Sequence, residues 1–398
     1  MQQRLLVLLV SVVLLTGSAF ATTTTTNHKK HHRAVRNTIA GAKVQRASYT
    51  PTVTTPPRLL TARHTVSKKR VVASPWTSPT FAESTVGDRV DGEDLMARRA
   101  AVQALGPYNG SVIVADPNTG RILTVVNQKL AYQGAFEPCS TIKIVAALAG
   151  LSEGVINQES SLRLTKRHSI DLTEAIAHSN NAYFANVGEK LGYDKIVQYG
   201  QMFGLGEKAG LNIDTEQPGL IADAPPADGL GMMTSFGEGF SMTPLELTAI
   251  VSAVANGGTL YYLQHPGSQA DVDQFVPQVK RQLNLTPWLM DIKPGMEGAV
   301  EYGTARRIGF SAENPIFGKT GTCTDNRTPT HLGWFGSYNE IAGRKLAVIV
   351  LLTGGHSVSG PVASGVAGAV YKNLVDQNYF SQVTPPIPPT ALISNHSF

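Results

Sequence analysis

Strand-forming segments stand at both ends of a long stretch, residues 93–380, and helix-forming segments fill its middle. The strands are an alternating apolar hairpin over 110–127, followed near the other end by segments at 316–322, 332–338 and 346–353. Helical periodicity covers 172–191, 194–203 and 244–255, and again 362–379 after the last strand. If strands from both ends share one sheet, the middle must be an insertion. We therefore predict an α/β (α+β) fold, an antiparallel sheet flanked by helices with an inserted all-helical subdomain.

Ser140 and Lys143 stand three residues apart at the start of another predicted helix. Pro138 precedes a run from Ile142 to Leu151 that is rich in Ala, Leu and Ile, which is typical of a helix start. Side chains three residues apart lie one turn apart on the same face, so the Lys143 amine can accept the hydroxyl proton of Ser140. We expect Ser140 in the first turn, where backbone N–H groups and the helix dipole favour an alkoxide or oxyanion.

Two further motifs follow along the chain. Ser179-Asn180-Asn181 supplies a hydroxyl that can relay a proton and an amide that can hold a peptide carbonyl or the lysine ammonium. Lys319-Thr320-Gly321-Thr322 lies in a predicted strand, where one cation and two hydroxyls can face a substrate carboxylate. Taken singly these motifs are ordinary, and S-x-x-K alone most often marks an exposed helix face.

The order of the three motifs is more informative than any one of them. S-x-x-K, S-x-N and K-T-G arrive in the order typical of class A β-lactamases and penicillin-binding proteins. The chain resembles the penicillin-binding transpeptidase family over about Asn109 to Leu352. Other segments similar to that family are the hairpin with its Asp116-Pro117-Asn118-Thr119-Gly120 turn, Glu137-Pro138-Cys139-Ser140, Phe236-Gly237-Glu238-Gly239, Met242-Thr243-Pro244, Asn256-Gly257-Gly258, Gly303-Thr304-Ala305 and Trp334-Phe335-Gly336.

The resemblance implies a serine D,D-transpeptidase with a β-lactamase/transpeptidase-like fold and an active site between sheet and helical subdomain. It implies that Ser140 attacks the penultimate D-alanine of a peptidoglycan stem peptide, that Lys143 takes its proton, that Ser179 protonates the leaving D-alanine and that Asn181 positions the substrate amide. The substrate carboxylate would be bound by Lys319, Thr320, Gly321 and Thr322. The oxyanion hole would be the backbone N–H groups of Ser140 and Thr322. The implied partners are stem peptides and, as covalent inhibitors, β-lactams, without cofactor, metal or nucleic acid.

Three positions depart from the family pattern. Cys139 stands where glycine is usual, Glu238 where glutamine is usual, and the middle motif reads S-N-N. Cys139 and Cys323 are the only cysteines in the chain, and they occupy the pair of positions that certain carbapenem-hydrolysing class A β-lactamases bridge with a disulfide. Two buried thiols are the alternative. A bridge would close a loop of 184 residues (323 − 139), which stabilises by roughly 5 kcal/mol in the chain-entropy model.

The same nucleophile also serves other functions. A D,D-carboxypeptidase would transfer the acyl group to water, and a serine β-lactamase would hydrolyse its own acyl-enzyme quickly. No E-x-x-L-N segment of the class A type lies between Asn181 and Lys319, and class D enzymes usually carry valine where Asn181 stands. A non-catalytic penicillin-binding sensor would need transmembrane helices. The role of Glu238 stays open, and His178 and His331 are interpreted as a surface side chain and a loop cap.

The first 92 residues have a different composition. Arg4, the apolar run Leu5 to Leu15 and Ala19-Phe20-Ala21 predict a signal peptide over 1–21, with an uncleaved anchor as the alternative. Export to the periplasm or the outer face of the cytoplasmic membrane follows. Residues 22–92 are predicted to be a disordered linker and 381–398 a Pro-rich disordered tail.

The linker is basic and the domain is acidic. Residues 1–82 carry 12 of the 34 Lys+Arg and none of the 29 Asp+Glu, which leaves 22 − 29 = −7 for the rest. Such a linker can touch anionic phospholipid or wall polymers, or act only as a solvated spacer. His28, His31 and His32 are not expected to form a metal site, because a flexible tract does not fix ligand geometry.

Overall fold

The computed structural model describes residues 76–309, 311–325 and 327–381. Strands from both ends of this range form one five-stranded antiparallel sheet, which confirms the predicted fold class. The strands are β1 Gly110–Ala115, β2 Ile122–Val126, β3 Leu162–Thr165, β4 His168–Ile170, β5 Leu220–Ile221, β6 Phe240–Ser241, β7 Thr259–Tyr261, β8 Val279–Gln282, β9 Ile316–Asp325, β10 Thr330–Asn339 and β11 Ala347–Gly354.

The sheet order is β2-β1-β11-β10-β9, so β9 is an edge strand. The helices are α1 Leu95–Leu105, α2 Gln128–Gln133, α3 Lys143–Ser152, α4 Leu172–Ala177, α5 Asn181–Leu191, α6 Tyr193–Met202, α7 Leu230–Ser235, α8 Pro244–Asn256, α9 Gln269–Asp273, α10 Thr286–Glu301 and α11 Gly360–Asp376. The insertion between β2 and β9 is mainly helical but also holds three two-stranded ribbons, β3-β4, β5-β6 and β7-β8, so it is not all-helical as predicted.

Both faces of the sheet are covered, and this explains why its central strands are almost wholly apolar. Alternate residues of β11 serve two different cores: Ile349 and Leu351 belong to the core shared with α3 and α8, whereas Val348 and Val350 belong to the core shared with α1 and α11. A strand buried on both faces reads as a continuous apolar run instead of an alternating one. Most of the helical insertion therefore lies on one face and the terminal helices on the other, while the end of α10, with Ala299 and Val300, joins the core of the terminal helices.

The helix predicted over 172–191 is interrupted. The chain leaves the helix at His178 and starts a new one at Asn181, so that α4 and α5 flank the Ser179-Asn180-Asn181 motif. Asn180 caps α5 by accepting a hydrogen bond from Tyr183 N at 2.9 Å. Asparagine competes for backbone hydrogen bonds and is favoured at N-caps, and this local preference overrides the apolar periodicity of the segment.

The folded region begins earlier than residue 93. Residues 76–92 pack on the domain: the Ser84 hydroxyl donates to the Tyr108 carbonyl at 2.8 Å, and the Asp88 carboxylate accepts from Arg98 at 2.7 Å. The polar composition of residues 76–92 is typical of a linker, although specific hydrogen bonds hold this segment on the domain. The predicted signal peptide, the rest of the linker with its histidines, and residues 382–398 lie outside the described residues. Within the described part of the chain, no helix is long and apolar enough to cross a membrane.

Candidate active site

Ser140 lies in a 3-10 turn, Cys139–Ile142, that leads directly into α3. It therefore stands just before the α-helix and not in its first turn as predicted. Cys139 has a φ of 51°, in the left-handed region, which bends the chain sharply ahead of the serine. Ser140 is 9% exposed, and its Oγ is 2.9 Å from the Nζ of Lys143. The turn thus presents a nearly buried hydroxyl to the lysine one turn further on.

The Lys143 amine is fully buried and surrounded by neutral oxygens. Besides Ser140 Oγ, Nζ lies 3.1 Å from Ser179 Oγ, 2.9 Å from the Ser179 carbonyl and 2.5 Å from Asn181 Oδ1. Among the described residues no carboxylate pairs with it. Burial without a counter-ion disfavours the ammonium and lowers the pKa of Lys143 to about 7. Near neutral pH the free amine is therefore available to accept the Ser140 proton.

A second buried amine faces the Ser179 hydroxyl. Lys319 on β9 is fully buried and donates to Ser179 Oγ at 2.8 Å and to the Thr320 carbonyl at 2.9 Å. Burial and, as a smaller effect, the nearby Lys143 charge lower the pKa of Lys319 well below its usual value. Because two ammonium groups beside one hydroxyl repel each other, the pocket disfavours double protonation. Ser179 Oγ thus lies within hydrogen-bonding distance of both amines.

The backbone around Ser179 explains how the middle motif reaches Lys143. Ser179 has a φ of 55° between α4 and α5, and Asn181 is the first residue of α5. The left-handed residue follows the end of α4, while the Asn180 cap fixes where the new helix starts. Together they direct the Ser179 hydroxyl and carbonyl and the Asn181 amide oxygen toward one amine.

On β9, Thr320 and Thr322 are two residues apart and therefore share one face of the strand. Thr320 is buried and its Oγ1 lies 2.7 Å from Thr304 Oγ1, while Thr322 Oγ1 accepts from Gly360 N at 2.7 Å. A hydroxyl that accepts from a backbone N–H keeps its own proton free for another acceptor. A Cβ built on Gly321 would lie only 3.0 Å from the Pro138 carbonyl oxygen. Glycine therefore lets β9 approach the turn that carries Ser140.

The predicted disulfide is present. It joins Cys139 to Cys323, with a Cα–Cα distance of 5.6 Å, and so fastens the turn before Ser140 to β9. The left-handed φ at position 139 explains why the resembling family usually has glycine there, since L side chains are strained in that region. In this chain the bridge holds a non-glycine residue in that conformation.

Reduction of the bridge is expected to lower the melting temperature by up to about 10 °C, because a loop of 184 residues is released in the unfolded state. Thermal unfolding with and without a reductant measures this. The double variant Cys139→Gly/Cys323→Ala is the matched control, and the reductant should not change its melting temperature. Recovery of two alkylatable thiols from natively exported protein would contradict the bridge.

Other candidates from the sequence lie in distinct places. His178 is half exposed and pairs with Glu174 at 3.2 Å, in keeping with a surface histidine. His331 is a residue of β10, not a loop cap, and its Nδ1 lies 2.9 Å from Thr324 Oγ1. Glu238 has a buried Oε2 without a hydrogen-bond partner among the described residues, and burial raises its pKa, with a smaller contribution from Asp228.

Two groups of the site were missed at the sequence level. Thr304 bonds to Thr320 and, through its N–H, to the Ala177 carbonyl at 3.1 Å, so it links β9 to the end of α4. The only sequence feature that pointed to Thr304 is the family resemblance of Gly303-Thr304-Ala305. No sequence feature pointed to the Gly360 N–H, which donates to Thr322. No group of three or more His, Cys, Asp or Glu side chains in the described ranges is arranged to hold a metal ion.

Comparison with known proteins gives one family. The sequence model of the penicillin binding protein transpeptidase domain matches residues 110–376. Stage V sporulation protein D of Bacillus subtilis is 31% identical over 254 residues, covering 55% of this chain and 39% of that protein. Peptidoglycan D,D-transpeptidase MrdA of Acinetobacter baumannii is 25% identical over 290 residues, covering 58% of this chain and 42% of that protein. The chain thus matches only about two fifths of the length of these relatives.

Solved structures show the same fold. The crystal structure of PBPA from Mycobacterium tuberculosis superposes with a TM-score of 0.61 at 21% identity, covering 71% of this chain and 81% of that one. The D,D-transpeptidase domain of a peptidoglycan glycosyltransferase from Eggerthella lenta gives a TM-score of 0.57 at 18% identity, covering 77% of this chain and 89% of that one. The β-lactamase/transpeptidase-like part of the fold prediction is thereby confirmed.

Proposed function

Because the chain belongs to the penicillin binding protein transpeptidase family, we propose that it is an exported serine D,D-transpeptidase acting on stem peptides that end in D-Ala-D-Ala. The observation that carries the proposal is the contact between Ser140 Oγ and the buried Lys143 amine at 2.9 Å, with no carboxylate beside that amine among the described residues. An unpaired buried amine is a base at neutral pH, and a base at this distance turns a serine hydroxyl into a nucleophile.

In the acylation step, Lys143 takes the Ser140 proton as Oγ attacks the carbonyl carbon of the penultimate D-alanine. The carbonyl oxygen becomes an oxyanion, which the N–H groups of Ser140 and Thr322 would stabilise. The close approach of β9 at Gly321 and the disulfide at Cys139 both support this pairing, since they fix the strand against the nucleophile turn.

In the second half of the step, the bond to the terminal D-alanine breaks and its nitrogen needs a proton. Ser179 Oγ is 3.1 Å from Lys143 Nζ and can pass that proton onward. Lys319 holds the other side of Ser179 at 2.8 Å and, with Thr320 and Thr322, would bind the terminal carboxylate. The acyl-enzyme is then released by an amine of a neighbouring stem, which forms a cross-link, and β-lactams would acylate the same serine.

Hydrolysis is the competing fate of the acyl-enzyme. If water attacks the ester formed with a stem peptide, the protein acts as a D,D-carboxypeptidase. If water attacks the ester formed with penicillin, it acts as a β-lactamase. Both activities need a base that activates water. Glu238 is the residue that favours a hydrolytic enzyme, because its buried Oε2 has no hydrogen-bond partner among the described residues. Burial, with smaller contributions from the Asp325 and Glu238 charges, raises the pKa of Glu137 to about 7, so Glu238 lies near the nucleophile turn.

Penicillin is expected to accumulate as a long-lived adduct, while D-alanine is released from a peptide ending in D-Ala-D-Ala. The physical reason is that amine transfer uses a nucleophile held in a groove, whereas hydrolysis needs an activated water. Intact mass followed over time and D-alanine release measure the two fates, and Glu238→Gln is the control for water activation. Rapid multiple turnover of a chromogenic cephalosporin without D-alanine release would reject the transpeptidase and favour a β-lactamase.

The location follows from the reaction and from the N-terminal sequence. Stem peptides lie outside the cytoplasmic membrane, and residues 1–21 are interpreted as a signal peptide or anchor. The basic stretch His28 to Arg33 in the linker would contact anionic lipid or wall polymers. The folded domain would then work at the end of this linker, in the periplasm or at the outer face of the cytoplasmic membrane.

A further inference from the structure

A cavity of about 390 Å³ lies at one end of the five-stranded sheet, away from Ser140. Its walls are the turn between β1 and β2, the turn between β10 and β11, and Phe380 near the end of the described chain. The polar residues that line it are Asp116, Asn118, Arg121, Arg344 and Lys345. None of them belongs to the site proposed for peptide transfer, so the cavity is a separate feature of the domain.

The Arg121 guanidinium has no hydrogen-bond partner among the described residues. Its Nε is buried and has no hydrogen-bond partner among the described residues, and its recorded hydrogen bonds come from its backbone. It forms no ion pair in the described ranges. All Asp and Glu residues of the chain lie within those ranges, because residues 1–75, 310, 326 and 382–398 contain neither. Arg121 therefore has no direct salt bridge with a carboxylate side chain, and Asp116 in the same cavity is the carboxylate on which its charge acts.

Arg344 adds a second guanidinium on the opposite wall. Its side chain stacks on the Tyr379 ring at 4.2 Å and donates to the Tyr379 carbonyl at 3.1 Å and hydroxyl at 3.0 Å. These neutral contacts fix the side chain without compensating its charge, and Arg344 forms no ion pair among the described residues. Lys345, by contrast, lies 3.3 Å from Glu340. Two guanidinium charges thus remain uncompensated by salt bridges at one cavity.

Only one carboxylate lines the cavity. Asp116 accepts from Asn118 N at 2.9 Å; burial raises its pKa, whereas its hydrogen bonds and the nearby Arg344 and Arg121 charges oppose that shift. The surrounding domain is acidic, with 22 Lys+Arg against 29 Asp+Glu from residue 83 onward. A locally cationic cavity in an acidic domain is therefore a specific feature and not part of a general basic surface.

We propose that this cavity binds a phosphate group of the phosphomonoester type. Two guanidinium groups without a salt bridge face a single carboxylate, which leaves the cavity cationic, and each planar guanidinium can contact two oxygens of the same tetrahedral group. The cavity is larger than a bare phosphate requires, so it also accommodates the molecule that carries the phosphate. The proposal is independent of the reaction at Ser140.

Titration of the full chain with inorganic phosphate, by calorimetry at constant ionic strength with chloride as the balancing ion, tests the site. We expect Arg121→Gln to weaken phosphate binding by at least about tenfold, as for loss of charge-assisted hydrogen bonds. The matched control is Arg167→Gln, which removes the same charge from the exposed β3-β4 turn. Asn118→Asp, at an exposed position on the rim, adds a negative charge and should weaken binding without removing a contact of the fold.

Two readouts complete the experiment. Unchanged penicillin labelling at Ser140 shows that each variant is folded. Vesicles containing phosphatidic acid identify the source of the phosphate: Arg121-dependent binding to them assigns the site to a lipid headgroup, whereas phosphate binding without it assigns the site to a soluble phosphorylated molecule. Absence of phosphate binding to the wild-type protein, or equal affinity in the wild type and in Arg121→Gln, overturns the proposal.

Discussion

Replacement of Ser140 by alanine is expected to abolish covalent labelling by a fluorescent penicillin. The hydroxyl is the group that forms the ester, and among the described residues it forms hydrogen bonds with the Lys143 amine at 2.9 Å and, more weakly, with the Ser235 carbonyl at 3.4 Å. Removing it leaves Lys143 bound to Ser179 and Asn181, so the fold should persist. Gel fluorescence after incubation with the probe, together with thermal unfolding, measures both effects.

The matched control is Ser169→Ala, which removes an exposed hydroxyl from β4. It should be labelled like the wild type. Equal labelling of wild type and Ser140→Ala would place the nucleophile elsewhere and would remove the basis of the proposed mechanism, whatever the fate of the acyl group.

Replacement of Lys143 by methionine should slow acylation by about 100-fold or more, which is the usual effect of losing a general base. In the wild type the rate constant should rise as the pH increases through about 7, because burial lowers the pKa of Lys143 to about 7 and only the neutral amine can accept a proton. The variant should lose this pH dependence. Stopped-flow acylation between about pH 5 and pH 9 gives both results.

Lys190→Met is the control, because it makes the same lysine-to-methionine change at a position that is exposed on α5. It should retain the wild-type rate and pH profile. A Lys143→Met variant that acylates at the wild-type rate would assign the base to another group, and Lys319 would be the first candidate because it contacts the same Ser179 hydroxyl.

The residues of the site could be predicted because the family motifs are short and their order is characteristic. Ser140, Lys143, Ser179, Asn181 and Lys319 meet in the structure even though they come from three separate parts of the chain. Which strands form the sheet was also predictable, since runs such as 346–352 are apolar without interruption, a pattern typical of strands covered on both faces.

The predictions that were wrong or missing concern backbone conformation and long-range polar contacts. Apolar periodicity runs straight through Ser179, yet that residue is left-handed with a φ of 55° and ends the helix. Likewise, residues 76–92 lack apolar periodicity, but a few hydrogen bonds, such as that from Arg98 to Asp88, hold them. Thr304 was overlooked because its role comes from a contact with Thr320 that no sequence spacing encodes. Local dihedral angles and long-range polar contacts leave little trace in a pattern of residue types.

The left-handed turn at Cys139 constrains the order in which this active site can change by mutation. Exchange of a glycine for cysteine at that position introduces strain of roughly 1 kcal/mol when no partner thiol exists. Cysteine at position 323, on the half-buried part of β9, requires no unusual backbone conformation. From an ancestor with neither cysteine, the favourable path therefore acquires Cys323 first and Cys139 second. The reverse path passes through an intermediate weakened beside its own nucleophile, so the two substitutions are expected to be epistatic.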